Sequence, residues 1–288
     1  MAFTSNGSIR LWKKLFLIIL VFSNMAVWVA VYERRTSNLH VYFFDVGQGD
    51  SIFIDSPTHG RVLVDGGPNN KVLSELGRVL PFGDRRIDVV IETHPDKDHI
   101  YGLSEVIRRY SVGKFLEPGV ESPSKVDDNL RTELEAKNIK RYLARRGMVI
   151  NFNDGTKLFI LFPDQDVSKW ETNQASVVAR LVYGEKSFLL TGDSPKKSEY
   201  IIMEYDKKDL KSDVLKVGHH GSKTSTSMAY ASLVRPEYAV ISTGLNNRYG
   251  HPNQETLDTL NKLGVKILST IEKGTIEFET DGKTLNLR

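Results

Sequence analysis

The chain has 288 residues, 40% of them hydrophobic, enough for one sizeable core without metal or disulfide staples. It contains no cysteine, which excludes disulfide frameworks, thiolate zinc sites and cysteine nucleophiles, so any metal must be held by histidine and carboxylate. A formal net charge of +3 falls well short of the concentrated charge that by itself marks a nucleic-acid binder.

In chain order, the first feature is the uncharged apolar run from Leu15 to Val31, preceded by Arg10, Lys13 and Lys14 and followed by Glu33, Arg34 and Arg35. A helix that crosses a bilayer needs roughly 20 such residues, and Trp12, Trp28 and Tyr32 are placed as interfacial anchors. A cleaved signal peptide is the weaker alternative, because the run is long for one and bulky Trp28 spoils the small-residue cleavage pattern before Ala30. The basic flank favours an N-terminus inside the cell. The expected organisation is a cytoplasmic tail over residues 1–14, a single-pass membrane anchor over 15–32, a linker over 33–38 that closes on Ser37-Asn38, and a globular extracytoplasmic domain over 39–288.

Beyond the linker, LHVYFFDV, SIFIDS and RVLVDGG are predicted strands punctuated by Gly47, Gly49 and Pro57. The strand RIDVVIET leads to His94, and Tyr101 to Tyr110 is predicted as a helix behind it. Asp128 to Arg146 is a predicted helix ended by Gly147. Its Lys137, Lys140, Arg141, Arg145 and Arg146 would form a basic stripe, either a solvated face or a guide for a polyanion or anionic lipid. MVINFNDGTKLFILFP reads as a hairpin turning at Asp154-Gly155, and SVVARLVYGEKSFLLTGD as one turning at Gly184. Strands then alternate with helices through Lys196 to Tyr205, LKVG, Ser225 to Val234, EYAVIST, Gln254 to Lys262 and VKIL, before a last hairpin at Asp281-Gly282. Meandering strands followed by helix-flanked ones predict an α/β (α+β) fold of two packed sheets in the layer order α, β, β, α.

The chemistry concentrates after Thr93. Alternate residues leaving a strand project to one side, so HPDKDH would converge His94, Asp96, Asp98 and His99, two imidazoles and two carboxylates, on one point. The segment resembles the HxHxDH signature of the metallo-β-lactamase superfamily, with Asp96 where most members carry the second histidine. Together with FDVGQGDS at 44–51, VDGG at 64–67, LLTGD at 189–193, LKVGHHGSKTS at 215–225 and NRYGHP at 247–252, it is similar to the hydrolase domain of the ComEC competence-protein family over residues 39–288. That resemblance implies a four-layer αββα metallo-β-lactamase sandwich preceded by one N-terminal transmembrane helix, and two divalent metal ions, zinc or manganese, with magnesium admissible.

It further implies that Asp98, His99, Asp193 and one histidine of the His219-His220 pair hold one ion, while His94, Asp96 and Asp193 hold the other. Asp193 ends the apolar strand FLLTGD, where a carboxylate is costly unless a cation pairs with it, and it takes the place of the bridging aspartate. Asn173 stands at the superfamily's third histidine position, which makes that site richer in oxygen and more tolerant of hard ions. Consecutive strand residues point opposite ways, so one of His219 and His220 is expected to bind metal, with His220 favoured. Asp45, Asp50 and Asp65 are expected to orient the histidines, although Asp65 also suits a turn. Ser222 and Thr224 are read at the start of the next helix, as caps or as donors to an anionic substrate. His251 is read as a substrate contact or proton donor, or as a structural loop residue.

The expected function is a membrane-anchored phosphodiesterase or nuclease in which two ions roughly 3.5–4 Å apart generate hydroxide and clamp a phosphoryl oxygen, with Asp98, His219, His220 and His251 closest to the chemistry. Single-stranded DNA and a wall polymer are the candidate substrates. The alternatives are a cell-envelope ester, lactam or lactone hydrolase on the same site, and a non-catalytic surface binding domain. One apolar segment builds no channel, so DNA import would require a separate channel partner.

Overall fold

The computed structural model describes residues 6–35, 38–207 and 209–288. Residues 1–5 of the expected tail, and Ser37 of the expected linker, lie outside them. The first helix, α1 (Asn6–Arg35), runs 30 residues, about 45 Å at 1.5 Å per residue, and so extends beyond the apolar run at both ends. Its window Leu11–Val29 is long and apolar enough to cross a membrane and is left exposed by the rest of the described residues. Two of the polar side chains in that window are satisfied within the helix. Ser23 Oγ and Asn24 Nδ2 donate to the Leu20 carbonyl at 3.0 and 2.9 Å, the arrangement a lipid-facing helix requires.

The first half of the remaining chain forms β1 (Leu39–Phe43), β2 (Ile52–Asp55), β3 (Arg61–Val64), α2 (Lys71–Val79), β4 (Arg86–Ile91), α3 (Lys97–Arg109), β5 (Ser111–Glu117), α4 (Lys125–Ala136) and β6 (Lys140–Leu143). The second half forms β7 (Val149–Asn151), β8 (Lys157–Phe162), β9 (Val178–Tyr183), β10 (Lys186–Leu190), α5 (Lys196–Asp206), β11 (Val214–Lys216), α6 (Met228–Val234), β12 (Tyr238–Ile241), α7 (Gln254–Lys262), β13 (Lys266–Ser269), α8 (Thr270–Lys273) and the closing hairpin β14 (Ile276–Thr280) and β15 (Leu285–Leu287). One sheet has the order β15-β14-β1-β2-β3-β4-β5-β6, the other β13-β12-β11-β10-β9-β8-β7. Their inner faces share a core that includes Phe43, Ile54, Ile91, Ile160, Leu181, Phe188 and Phe278. Helices α2, α3 and α4 cover the first sheet through Val72, Leu76, Leu103, Val106 and Leu130, while α5, α6 and α7 cover the second through Ile202, Val234 and Leu260. The α, β, β, α layering read from the sequence is the architecture found.

Each sheet changes character along its width. β1, β2 and β3 are antiparallel, but β3 to β6 run parallel; β7 to β10 are antiparallel, but β10 to β13 run parallel. Parallel pairs need crossover helices, and loops leaving the carboxyl ends of such strands gather at one edge of the sandwich. The metal-type residues sit on those loops: Asp65 after β3, His94 after β4, Asp193 after β10, and His219 and His220 after β11.

Two predicted helices change. α3 begins at Lys97, with Asp96 at the N-cap position, so Asp98 and His99 occupy a helical first turn instead of an extended loop. The predicted helix from Asp128 to Arg146 ends at Ala136. Asn138 takes a left-handed φ of 52°, the Asn138 N–H donates to Glu135 O at 2.9 Å and the Ile139 N–H to Leu134 O at 3.0 Å, a closed C-terminal cap in which asparagine replaces the usual glycine. The chain then pairs as edge strand β6 beside β5. Gly147 therefore turns the chain between strands with φ of 91°. The basic stripe is dispersed with the helix, since Arg141 pairs with Glu117 and Arg146 with Asp206.

Candidate metal centre

The site is assembled from the strand ends inward. Asp65, held at a left-handed φ of 59° as β3 stops, accepts the Thr93 N–H at 2.8 Å, the Thr93 hydroxyl at 2.7 Å and His99 Nδ1 at 2.8 Å. This carboxylate therefore joins the ends of β3 and β4 to the first turn of α3. The helix approaches closely enough that a side chain on Gly102 would meet Gly66 O at 2.1 Å, and one on Gly49 would meet Asp98 O at 2.1 Å. Glycine is required at both positions because backbone touches backbone.

Proton positions on three histidines follow from their partners. Thr93 Oγ1 spends its one proton on Asp65, so it accepts from His94 Nδ1 at 3.0 Å. His99 Nδ1 donates to Asp65, and His220 Nδ1 donates to the Ser242 carbonyl at 2.9 Å, which can only accept. With each Nδ1 occupied, the lone pair of each neutral ring lies on Nε2. Those Nε2 atoms of His94, His99 and His220 are buried and make no hydrogen bond among the described residues, and neither does Asp193 Oδ1. They face one another. His99 Nε2 is 3.5 Å from Asp193 Oδ1, and His94, His219 and His220 Nε2 are 4.0, 3.7 and 3.5 Å from Asp193 Oδ2. The sets His94, His99, Asp193 and Asp98, His99, His220 each place one ligand atom per residue within 4.8 Å of the others. Orphaned, preoriented donors of this kind fit divalent cations, because leaving so many buried polar atoms without partners is otherwise costly.

Residues 44–245 match the Metallo-beta-lactamase superfamily. The chain belongs to that superfamily. Among curated relatives, ComE operon protein 3 of Bacillus subtilis is 34% identical over 86% of this chain and 34% of its own length, and Recombination protein 2 of Haemophilus influenzae is 32% identical over 81% of this chain and 28% of its own length. The chain thus spans about a third of the length of the curated relatives it matches. Among solved structures, Igni18, a metallo hydrolase of Ignicoccus hospitalis, superposes with a TM-score of 0.56 at 17% identity, over 84% of this chain and 99% of that one, which shows the shared fold. Divalent metal binding and hydrolase chemistry are general properties of this fold family.

The electrostatics of the site are set by the same contacts. Burial opposes ionisation of Asp193, but His220, His99 and His94 outweigh it and hold the carboxyl well below its ordinary range. Burial likewise works against His220⁺, yet Asp193 and Asp50 push the imidazole up to about 10, and Asp193 with Asp65 raises His99. His94 goes the other way, down to about 3, because burial dominates and His99 adds repulsion. A cation must therefore displace protons from His220 and His99, and affinity rises with pH while those groups remain protonated, about tenfold per pH unit for each proton released. Calorimetric titration in buffers of different ionisation enthalpy is expected to show proton release; an affinity that is flat between about pH 6 and pH 9 would contradict the arrangement. Removing the Asp65 contact is expected to weaken metal binding by roughly 10–100-fold in Asp65→Asn, measured by chelator competition.

The structure brings several of the residues singled out from the sequence together. Asp50 is 3.4 Å from His220 Nδ1, Asp65 orients His99, and Asp96 is 3.7 Å from His94 Nε2 with its side chain 38% exposed. Asn173 opens a single 3-10 turn at Asn173–Ala175, next to Thr172, which hydrogen bonds Asp96; its Oδ1 is buried without a hydrogen-bond partner among the described residues. Other expectations are corrected. His219 and His220 do not alternate as strand residues. Both adopt left-handed backbone, φ 48° and 55°, which turns both rings toward Asp193. Asp45 contacts no histidine among the described residues; its carboxylate accepts from Gly47 N–H at 3.2 Å and closes the turn. Ser222 and Thr224 precede the next helix by a full turn, since Ser227 caps α6. Instead Thr224 Oγ1 lies 3.2 Å from His219 Nδ1 and 2.9 Å from Ser222 Oγ, a relay that steadies His219. His251 does reach the site, its ring 5.5 Å from that of His219.

Lys216 was not singled out and belongs here. It is fully buried, with Nζ 2.7 Å from Asp50 Oδ2 and 3.0 Å from the Val217 carbonyl. Its signal in the sequence is a lysine inside the apolar strand VLKV, where an ammonium is tolerated only beside a buried carboxylate. Thr93, whose hydroxyl fixes both Asp65 and His94, carried no signal beyond ending an apolar strand.

Proposed function

We propose that the chain is a membrane-anchored phosphodiesterase acting on nucleic acid, with single-stranded DNA the first substrate to test, and that His94, Asp96, Asp98, His99, Asp193 and His220 hold two divalent ions. The observation that carries this reading is the convergence of unpartnered Nε2 atoms and Asp193 on one point. Two cations bound there would activate a nucleophilic water and neutralise charge developing on phosphoryl oxygens. Half of the proposed ligands are carboxylates, a donor set that suits manganese or magnesium as well as zinc. The names of the relatives, a competence operon product and a recombination protein, favour DNA over a wall polymer. The exposed apolar window of α1 supports a single-pass anchor, with the basic flank favouring a catalytic domain outside the cytoplasm.

Within this reading the chain's own residues divide the work. Asp65, Ser242 and Thr93 fix the Nδ1 protons and so keep the ligand rings from rotating. Asp98 and Asp96, each about a third exposed, form the open side through which a phosphodiester arrives. Burial, with His219 and His220 nearby, lowers His251 below the ordinary histidine value. It is neutral at neutral pH and serves as a hydrogen-bond donor to the leaving oxygen or as a proton acceptor. The test uses the full chain in detergent with Mn²⁺, Zn²⁺ or Mg²⁺, assayed on single-stranded oligonucleotide, bis(p-nitrophenyl) phosphate, a wall-polymer phosphodiester and a lactam. Metal-dependent cleavage of the oligonucleotide, absent in Asp98→Ala, is expected. A wild type no better than Asp98→Ala on every phosphodiester defeats the proposal.

A further inference from the structure

The loop between β12 and α7 carries a stack that starts in solvent and ends on the metal centre. Arg248 lies 4.9 Å from the Tyr249 ring centre and donates to its hydroxyl at 2.8 Å. Tyr249 stacks on His251 at 5.7 Å and 24°, and His251 meets His219 edge-on at 5.5 Å and 76°. His219 Nε2 is the atom 3.7 Å from Asp193. Tyr249 keeps 51% of its surface exposed and neighbouring Leu245 keeps 76%, although both sit beside a polar site where a soluble loop ordinarily carries small polar residues. Arg248 has no carboxylate within ion-pairing distance among the described residues; the Tyr249 ring and hydroxyl hold it, and Asp98 is close enough to act on it.

The loop is also built to hold that shape. Asn247 Nδ2 donates to the His251 and Gly244 carbonyls at 2.7 and 3.1 Å, while its Oδ1 accepts the His251 N–H at 3.0 Å. A side chain on Gly221 would meet Pro252 Cβ at 2.6 Å, and Gly221 O accepts the Asn253 N–H at 2.9 Å, so the loop is clamped to the turn that presents His219 and His220.

We propose that Tyr249 is a base-stacking platform and Arg248 a phosphate contact, together forming a subsite that selects unpaired nucleotides beside the scissile phosphate. This rests on the phosphodiesterase reading above and adds to it a means of choosing single strands. With Arg248 turned from the Tyr249 ring to the adjoining phosphate, a half-exposed aromatic ring backed by a second ring offers a flat face to a nucleobase. A base inside a duplex has its faces covered and cannot use the platform. A sugar-phosphate without a base gains only the guanidinium.

The experiment compares kcat/KM of the full-length metal-loaded chain on a single-stranded oligothymidine, an abasic oligomer of equal length and a duplex. The wild type is expected to prefer the base-bearing single strand. In Tyr249→Ala that preference, expressed as the ratio of base-bearing to abasic kcat/KM, falls by about tenfold, the loss typical of one stacked base. Tyr249→Trp retains the ratio, and Arg248→Ala raises KM on both oligomers and flattens the salt dependence. If the wild type cuts base-bearing and abasic oligomers equally, or if Tyr249→Ala lowers both by one factor, the platform is refuted while the phosphodiesterase reading stands. If no phosphodiester is cut, the earlier reading fails instead.

Discussion

Replacing Asp193 with alanine is expected to remove metal and activity together, with kcat/KM on any cleaved phosphodiester falling at least about a thousandfold, or roughly 4 kcal/mol of transition-state stabilisation. This carboxylate faces four histidines, with His94, His219 and His220 near one oxygen and His99 near the other, so it contacts both halves of the site. Asp193→Asn separates charge from shape, since the amide fills the same space but cannot balance two cations. The measurements are elemental analysis of metal content and the metal-dependent rise in melting temperature. A ligand at a hundred times its Kd stabilises by about 2.7 kcal/mol, and that increment is expected to vanish in both variants. An Asp193→Ala protein that retains its full metal complement contradicts the proposed ligand set.

Lys216→Met is expected to cost about 3–5 kcal/mol of stability, far more than a surface lysine, because it takes the ammonium from a buried Asp50. The side chain of methionine fills nearly the same volume, so the loss reports charge and not a cavity. Adding Asp50→Asn to Lys216→Met is expected to restore most of the loss, read as the urea midpoint of the detergent-solubilised chain. A single-variant cost below about 1 kcal/mol would show that water or His220 alone satisfies Asp50.

The parts of this protein legible in the sequence are those fixed by local chemistry. Hairpins at Asp154-Gly155, Gly184 and Asp281-Gly282 follow from turn residues, and each is found, with Asn151 opposite Lys157, Tyr183 opposite Lys186 and Thr280 opposite Leu285. His94 and Asp193 are recognisable because ligand-type residues close wholly apolar strands. What escaped depends on tertiary neighbours. Lys140 to Leu143 has helical composition, yet it completes a sheet edge beside β5, where a free ladder of backbone groups outweighs a weak propensity. The short helix α2 was hidden by Gly77 and by its position between two motif-rich loops. Alternation at His219-His220 fails because the turn leaves β11 in a left-handed conformation that side-chain identity does not announce. The Asp50–Lys216 pair joins residues 166 positions apart, as the numbering shows, and only the packing of the two sheets brings them together.

The left-handed backbone at His219 and His220 has a consequence for when the protein is complete. Left-handed geometry costs roughly 1–2 kcal/mol for each non-glycine residue, and here two such residues are adjacent. Part of that cost is offset by the contacts of their rings with Asp193, Ser242 and Thr224; cations bound by the rings would offset the rest. Through Gly221 and Pro252 the same turn braces the loop that holds Tyr249. Metal binding would therefore be expected to stiffen this turn and, through it, the loop that carries Tyr249.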